Sequence, residues 1–406
     1  MLQNKFVRTI MLSSILLQLG IWVRNFAILL FVTAKTDNDP LYVSLISVAE
    51  FAPIFLFSFI GGAFADRWRP KRTMVWSSLL SALSAGAVLI VVALGSWQAL
   101  FAATFISAML SQFSQPSAMK LFKQHVQEEK LQSVMAMYQT VISIFLVIGP
   151  AVGAFVYDKF GLEISLAVMG GLLLGSAIVL SLLPSDERES DPSKESAGRG
   201  SLLDEMKDGL RYVGRNPLLR TLAIAFTAAG LAAGLIQPLS VFVAVENLGK
   251  DSSFLQWVII ANGAAMMVGG AVIMTFAQKV KPQALLTLGL LVSAAGTVAV
   301  GWSTSVTLTL VLQAMTGLFY PCIHIGIQTL ILRNTEPAYI GRVGGTVTPI
   351  FMGMMVIGMS VGGVLKHATS LFSVFAISGV LFFVGAMLML PTVLRQSAVH
   401  SHAAQR

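Results

Sequence analysis

Residues 62–72 read Gly62-Ala63-Phe64-Ala65-Asp66-Arg67-Trp68-Arg69-Pro70-Lys71-Arg72, one acid and four cations packed between two long apolar runs. A second copy stands 212 residues further on, Phe276-Ala277-Gln278-Lys279-Val280-Lys281-Pro282 against Phe64 to Pro70. Two further matches keep nearly the same register. Gly149-Pro150-Ala151-Val152-Gly153 pairs with Gly358-Met359-Ser360-Val361-Gly362 at an offset of 209, and Pro116 pairs with Pro321 at 205. Three matches in order predict a parallel duplication of one half-chain. In membrane carriers built from repeats, the substrate site lies at the repeat interface near the bilayer midplane.

Composition points to lipid. Of 406 residues, 55% are hydrophobic and 11% charged, with a mean hydropathy of +0.78. A soluble domain carries about a quarter charged residues, and a disordered chain is poor in apolar ones. Roughly 20 apolar residues cross a bilayer core. That rule predicts twelve spans, near 9–34, 41–65, 74–94, 97–119, 134–156, 162–184, 218–243, 254–277, 284–302, 305–332, 343–365 and 370–394. The expected fold is all-α, two six-helix halves in the membrane: 1–184, a connector at 185–217, 218–394, and a tail at 395–406. The connector opens on an acidic Ser185–Pro192 stretch expected to be disordered. Ser201 and Asp204 then form a capping box ahead of Leu203, Met206 and Leu210, which predicts a helix along the membrane surface.

The net charge of +8 and pI near 9.7 are explained by where the cations lie, not by a nucleic-acid partner. With the N-terminus inside, 22 of the 27 Lys and Arg fall in cytoplasmic segments, and only Lys35, Lys159, Lys250 and Lys366 fall outside. The positive-inside rule therefore places both termini in the cytoplasm. No cleavable signal peptide is read at the start. The single cysteine, Cys322, leaves no disulfide framework, and with His324 alone it does not fill a tetrahedral metal site, so no metal is expected. There is no His-Glu-x-x-His, no Gly-x-Ser-x-Gly and no phosphate loop, which argues against an enzyme and against direct use of ATP.

These residues identify the chain as similar to the major facilitator superfamily of transporters. The loop at Gly62, Asp66, Arg67, Lys71 and Arg72 resembles that superfamily's cytoplasmic gate motif, with Arg69 and Pro70 departing from it. The resemblance implies a latch in which Asp66 faces the start of span eleven, around Gly344-Gly345-Thr346. A carboxylate at a helix N-terminus is stabilised by about 0.3–1 kcal/mol. Within the superfamily the chain looks most like the macrolide-efflux subgroup of drug:proton antiporters. It shares Gln115-Pro116-Ser117-Ala118, Glu128-Glu129-Lys130-Leu131, Glu205-Met206-Lys207-Asp208-Gly209 and Tyr339-Ile340-Gly341-Arg342-Val343. Siderophore exporters share much of this pattern. Gly149, Pro150 and Gly153 resemble the antiporter helix motif of exporters, and read on their own they are a kinked, small-residue packing face. The resemblance implies alternating access in a bacterial plasma membrane, a monomer, a small amphiphilic organic substrate, and a proton gradient in place of any cofactor. A siderophore or metabolite exporter, or a lipid flippase of the same fold, is the alternative.

Two charges lie inside spans. Arg24 and Glu50 each sit roughly 13–15 Å below the outer end of neighbouring helices at 1.5 Å per residue. Either Glu50 titrates and couples protons, or the pair is a static brace. The family's arginine in span four is replaced here by Ser107. Softer candidates for lining a cavity, or for holding helices together, are Asn25, Gln139, Gln237, Asn262, His324 and Gln328, with Gln18 and Gln313 beside them.

Overall fold

Two residue types set several of the helix starts in this chain. Asparagine caps α1 (Lys5–Lys35), where Asn4 Oδ1 accepts from the Phe6 and Val7 amides. Proline opens α2 (Pro40–Arg67) and α3 (Pro70–Ala93), its missing N–H costing nothing in a first turn. α4 (Ala99–His125) and α5 (Glu128–Ser181) complete the first series. Then come α6 (Leu202–Arg215), α7 (Pro217–Ile236) and the single turn α8 (Ser240–Phe242). The second series continues with α9 (Leu255–Phe276), α10 (Pro282–Trp302), α11 (Val306–Asn334), α12 (Ile340–Ala368) and α13 (Leu371–Ala403). This is a computed structural model, describing residues 4–67, 69–184, 202–276, 280–336 and 339–403; the side chains of 58–67, 132, 202–206, 274–276, 340–341 and 392–403 are outside that description. No strand occurs among the described residues.

The chain divides into two compact units, Met1–Ser196 and Ala197–Arg406. In the first, α1 packs along α5, α2 on α4, and α3 on both α4 and α5. In the second, α7 packs on α12 and α13, α9 on α11, and α10 on both α11 and α13. The two lists describe one pattern, as the duplication predicts. The sequence register hid a further correspondence. Asn216 caps α7 as Asn4 caps α1, accepting from the Leu218 and Leu219 amides. Asn4 Nδ2 also donates to the carbonyl of His125, the last residue of α4, and Asn216 Nδ2 donates to that of Asn334, the last residue of α11. The segments align as Asn4-Lys5-Phe6-Val7-Arg8-Thr9 on Asn216-Pro217-Leu218-Leu219-Arg220-Thr221, again 212 apart.

Ten helices among the described residues are long and apolar enough to cross a membrane, where twelve spans were expected. Spans five and six are united in α5, whose 54 residues would run about 80 Å if straight, against a bilayer core of about 30 Å. Its helical dihedrals break once, at Gly161 (φ 74°), between the two expected spans. α4 is 27 residues long, and Ser107, Ser111, Gln112, Ser114, Gln115 and Ser117 dilute its apolar character.

At two places the structure adds to the sequence reading. α13 runs on to Ala403, past the expected start of a tail at 395. α6 packs on α12 of its own unit. Gly209 seats it so closely on α12 that a Cβ there would meet Thr346 Oγ1 at 2.4 Å and the Arg342 carbonyl at 2.6 Å. Val213 enters the core of the second unit, and Tyr212 stacks on Tyr339 with centroids 4.5 Å apart. Arg342 in turn lies 5.2 Å over the Tyr339 ring. Leu210 on the other face stays exposed, while Ser201, Leu203, Asp204 and Met206 lie outside the described residues or side chains.

Candidate functional site

The intramembrane charges are joined through an amide. Arg24 is buried on α1, and its Nε and Nη2 donate to Asn25 Oδ1 at 2.9 and 2.7 Å. Asn25 Nδ2 donates to Glu50 Oε1 of α2 at 2.5 Å. Arg24 and Glu50 were expected to meet or share a cavity; among the described residues they form no direct ion pair, and Asn25 relays between them. The amide orientation is dictated by its neighbours. A guanidinium can only donate and an ionised carboxylate can only accept, so the oxygen must face Arg24 and the nitrogen Glu50. Arg24 Nη1 is left buried without a hydrogen-bond partner.

The segment carrying this relay is seated on the glycines of α5. A Cβ on Gly149 would lie 2.4 Å from the Trp22 ring, and one on Gly153 would lie 2.6 Å from the Trp22 carbonyl and 2.8 Å from Phe26 Cβ. Residues 22 and 26 bracket Arg24 and Asn25. Gly149, Pro150 and Gly153 are thus a packing notch that fixes the depth and rotation of the relay segment. The second unit uses the same device: a Cβ on Gly358 or Gly362 of α12 would strike the Leu231 or Leu235 carbonyl of α7, each at 2.5 Å.

At the gate motif, Gly62, Asp66 and Arg67 have side chains outside the described residues. Lys71 Nζ donates to the Leu183 carbonyl just past the end of α5, a cation at a helix C-terminus. Arg69 and Arg72 are exposed.

The amide candidates separate. Asn262 of α9 donates to the Gln313 carbonyl at 3.1 Å and to Thr316 Oγ1 at 3.3 Å, tying α9 to α11. Gln139, Gln237, His324 and Gln328 are exposed, and His324 stands against the Tyr320 ring at 5.0 Å. Ser107 is buried in α4. At the 212-residue register, Arg24, Asn25 and Glu50 fall on Ile236, Gln237 and Asn262. Asn25 stood among the cavity candidates, but its role as relay was missed; an amide flanked by an arginine and one helix from a glutamate was the available signal.

A family model described as the Major Facilitator Superfamily matches residues 10–245 and again 222–405. Macrolide efflux protein A of Streptococcus pyogenes is 24% identical over 88% of this chain and 89% of its own length. Multidrug efflux pump Tap of Mycolicibacterium fortuitum is 24% identical over 84% of each. An uncharacterized MFS-type transporter of Bacillus subtilis, YfiS, is 23% identical over 95% and 93%. Among solved structures, the nucleoside transporter NupG has the same fold, with a TM-score of 0.75 at 14% identity over 96% of this chain and 99% of that one. A POT family transporter gives 0.73 at 10% identity, covering 95% of each.

Proposed function

The chain belongs to the major facilitator superfamily, a multi-pass membrane transporter and not an enzyme, and from that premise we propose that it exports amphiphilic organic compounds, drug- or macrolide-like, in exchange for protons. The substrate class is supported by the macrolide and multidrug efflux relatives. The export direction is supported by the resemblance of Gly149-Pro150-x-x-Gly153 to the antiporter motif. The energy source is a proton gradient, and both termini face the cytoplasm by the distribution of cations.

One observation carries the coupling: the buried Arg24–Asn25–Glu50 relay. With Glu50 ionised, its charge balances Arg24 through the amide. A proton on Glu50 removes that balance and leaves a buried guanidinium, already short of one partner at Nη1, uncompensated. Leaving a buried charge unpaired costs about 3–5 kcal/mol. A swing of about 5.5 kcal/mol takes a two-state equilibrium from 1:99 to 99:1. Glu50 protonation is therefore of the right size to bias alternating access, with substrate binding supplying the remainder.

The test is gradient-driven transport in proteoliposomes, wild type against Glu50→Gln, with macrolides, dyes and siderophores as substrates. Glu50→Gln is expected to bind substrate and to lose at least tenfold of the gradient-driven flux. Undiminished flux would make the relay a brace and leave the coupling group elsewhere. Wild-type protein that moves no substrate under a pH gradient would overturn the antiporter reading.

A further inference from the structure

A groove of about 570 Å³ lies between α3 and α4 at the end of α3 that carries the basic loop. Its mouth is formed by Arg69 and Arg72, both exposed, and its side by Trp76, which is 57% exposed. Deeper in, Leu80, Leu110 and Phe113 make the wall, and Phe113 is held from behind by Phe57 of α2, centroids 6.3 Å apart. The polar groups along the way are already spent inside the protein: Thr73 Oγ1 donates to the Arg69 carbonyl and Ser77 Oγ to the Leu110 carbonyl. The groove therefore presents two cations at one end and hydrocarbon along the rest.

Neither arginine has a carboxylate partner among the described residues. Two guanidiniums three residues apart, one on the residue that caps α3 and one in its first turn, repel each other and are stabilised by an anion between them, and a phosphodiester suits them because each fork donates in pairs. Trp76, an amphipathic ring below the cations, sits at the level such rings favour between headgroup and chain. The larger groove between α10 and α13, about 860 Å³ and lined by residues such as Ala294, Ala299, Trp302 and Phe383, has no charged residue and selects no headgroup.

We propose that the α3–α4 groove is a binding site for an anionic glycerophospholipid, its phosphate held by Arg69 and Arg72 and one acyl chain lying along Trp76, Leu80, Leu110 and Phe113. The site is separate from the proton relay, and the ligand is a lipid of the surrounding membrane. It exploits both charge and hydrocarbon, so the headgroup alone binds weakly.

Native mass spectrometry of the full-length protein in mild detergent tests this, titrating phosphatidylglycerol against phosphatidylcholine with identical acyl chains. The first phosphatidylglycerol is expected to bind at about a thirtieth of the phosphatidylcholine concentration, the scale set by two interfacial cations. Arg69→Gln with Arg72→Gln should abolish that preference, and Arg69→Lys with Arg72→Lys should keep only the part due to charge, since the paired donation of the forks is lost. Leu110→Trp, which fills the groove, should weaken binding of the first lipid while the gel-filtration profile stays that of wild type. Equal binding of the two lipids by wild type, or an unchanged preference in the double Gln variant, overturns the site. Glycerol phosphate competing as well as the intact lipid would make it a free-phosphate site and overturn the lipid assignment.

Discussion

At Asn25 a neutral amide stands between a guanidinium and a carboxylate, and its two ends are not interchangeable. Its oxygen satisfies two of the Arg24 donors and its nitrogen serves Glu50. A leucine of similar size at this position would supply neither. Asn25→Leu is therefore expected to strand both buried partners, lowering stability by about 1–3 kcal/mol for each group left unsatisfied. Gradient-driven flux should fall at least as far as in Glu50→Gln. Thermal unfolding in detergent and proteoliposome transport check the two halves of that statement. Retained flux in Asn25→Leu would mean that Glu50 communicates with Arg24 without the amide. Arg24 and Glu50 were legible in the sequence because a charge in hydrocarbon is conspicuous. Asn25 was less so, since an amide in a span can face lipid-distant water, substrate or a neighbouring helix with equal ease.

Between elements, the notch on α5 distinguishes two kinds of close contact. At Gly149 the neighbour is the Trp22 side chain; at Gly153 it is the Trp22 backbone carbonyl and Phe26 Cβ. Gly149→Ala and Gly153→Ala should each cost about 1–3 kcal/mol by overpacking. Trp22→Ala should relieve the first and not the second, because removing a ring cannot move a carbonyl. A double-mutant cycle on thermal stability reads this directly: coupling between positions 22 and 149, near additivity between 22 and 153. In the second unit, Gly209→Val should lift α6 from Arg342 and Thr346 and unstack Tyr212 from Tyr339, seen as faster hydrogen exchange in α6. The sequence pointed to both the α6 segment and the Tyr339–Val343 segment as shared motifs, without showing that they touch. Helical periodicity reports which face is apolar, not which helix covers it, and α6 looked like a membrane-surface helix for that reason.

For the molecule as a whole, the duplication was the most legible feature, because lipid demands apolar spans and repeats keep their spacing. The caps escaped notice, since a single asparagine ahead of an apolar run is common. Their equivalence predicts matched effects. Asn4→Ala and Asn216→Ala each remove an N-cap and a tie to the end of a partner helix, for about 1 kcal/mol apiece, in different units. Hydrogen exchange should show the loss confined to α1 and α4 in one variant and to α7 and α11 in the other. The count of spans was less legible than their order, since α5 covers two of the expected spans with one break at Gly161 and α4 is rich in serine. The 212-residue register sets Arg24, Asn25 and Glu50 beside Ile236, Gln237 and Asn262. In the language of duplication and divergence, the sister copies have specialised. One keeps an ionisable residue where the other keeps only an amide, so under the proposed coupling a proton on Glu50 would distinguish two otherwise parallel modules. Under that proposal, the inequality between the two sequence repeats is what would give transport its direction.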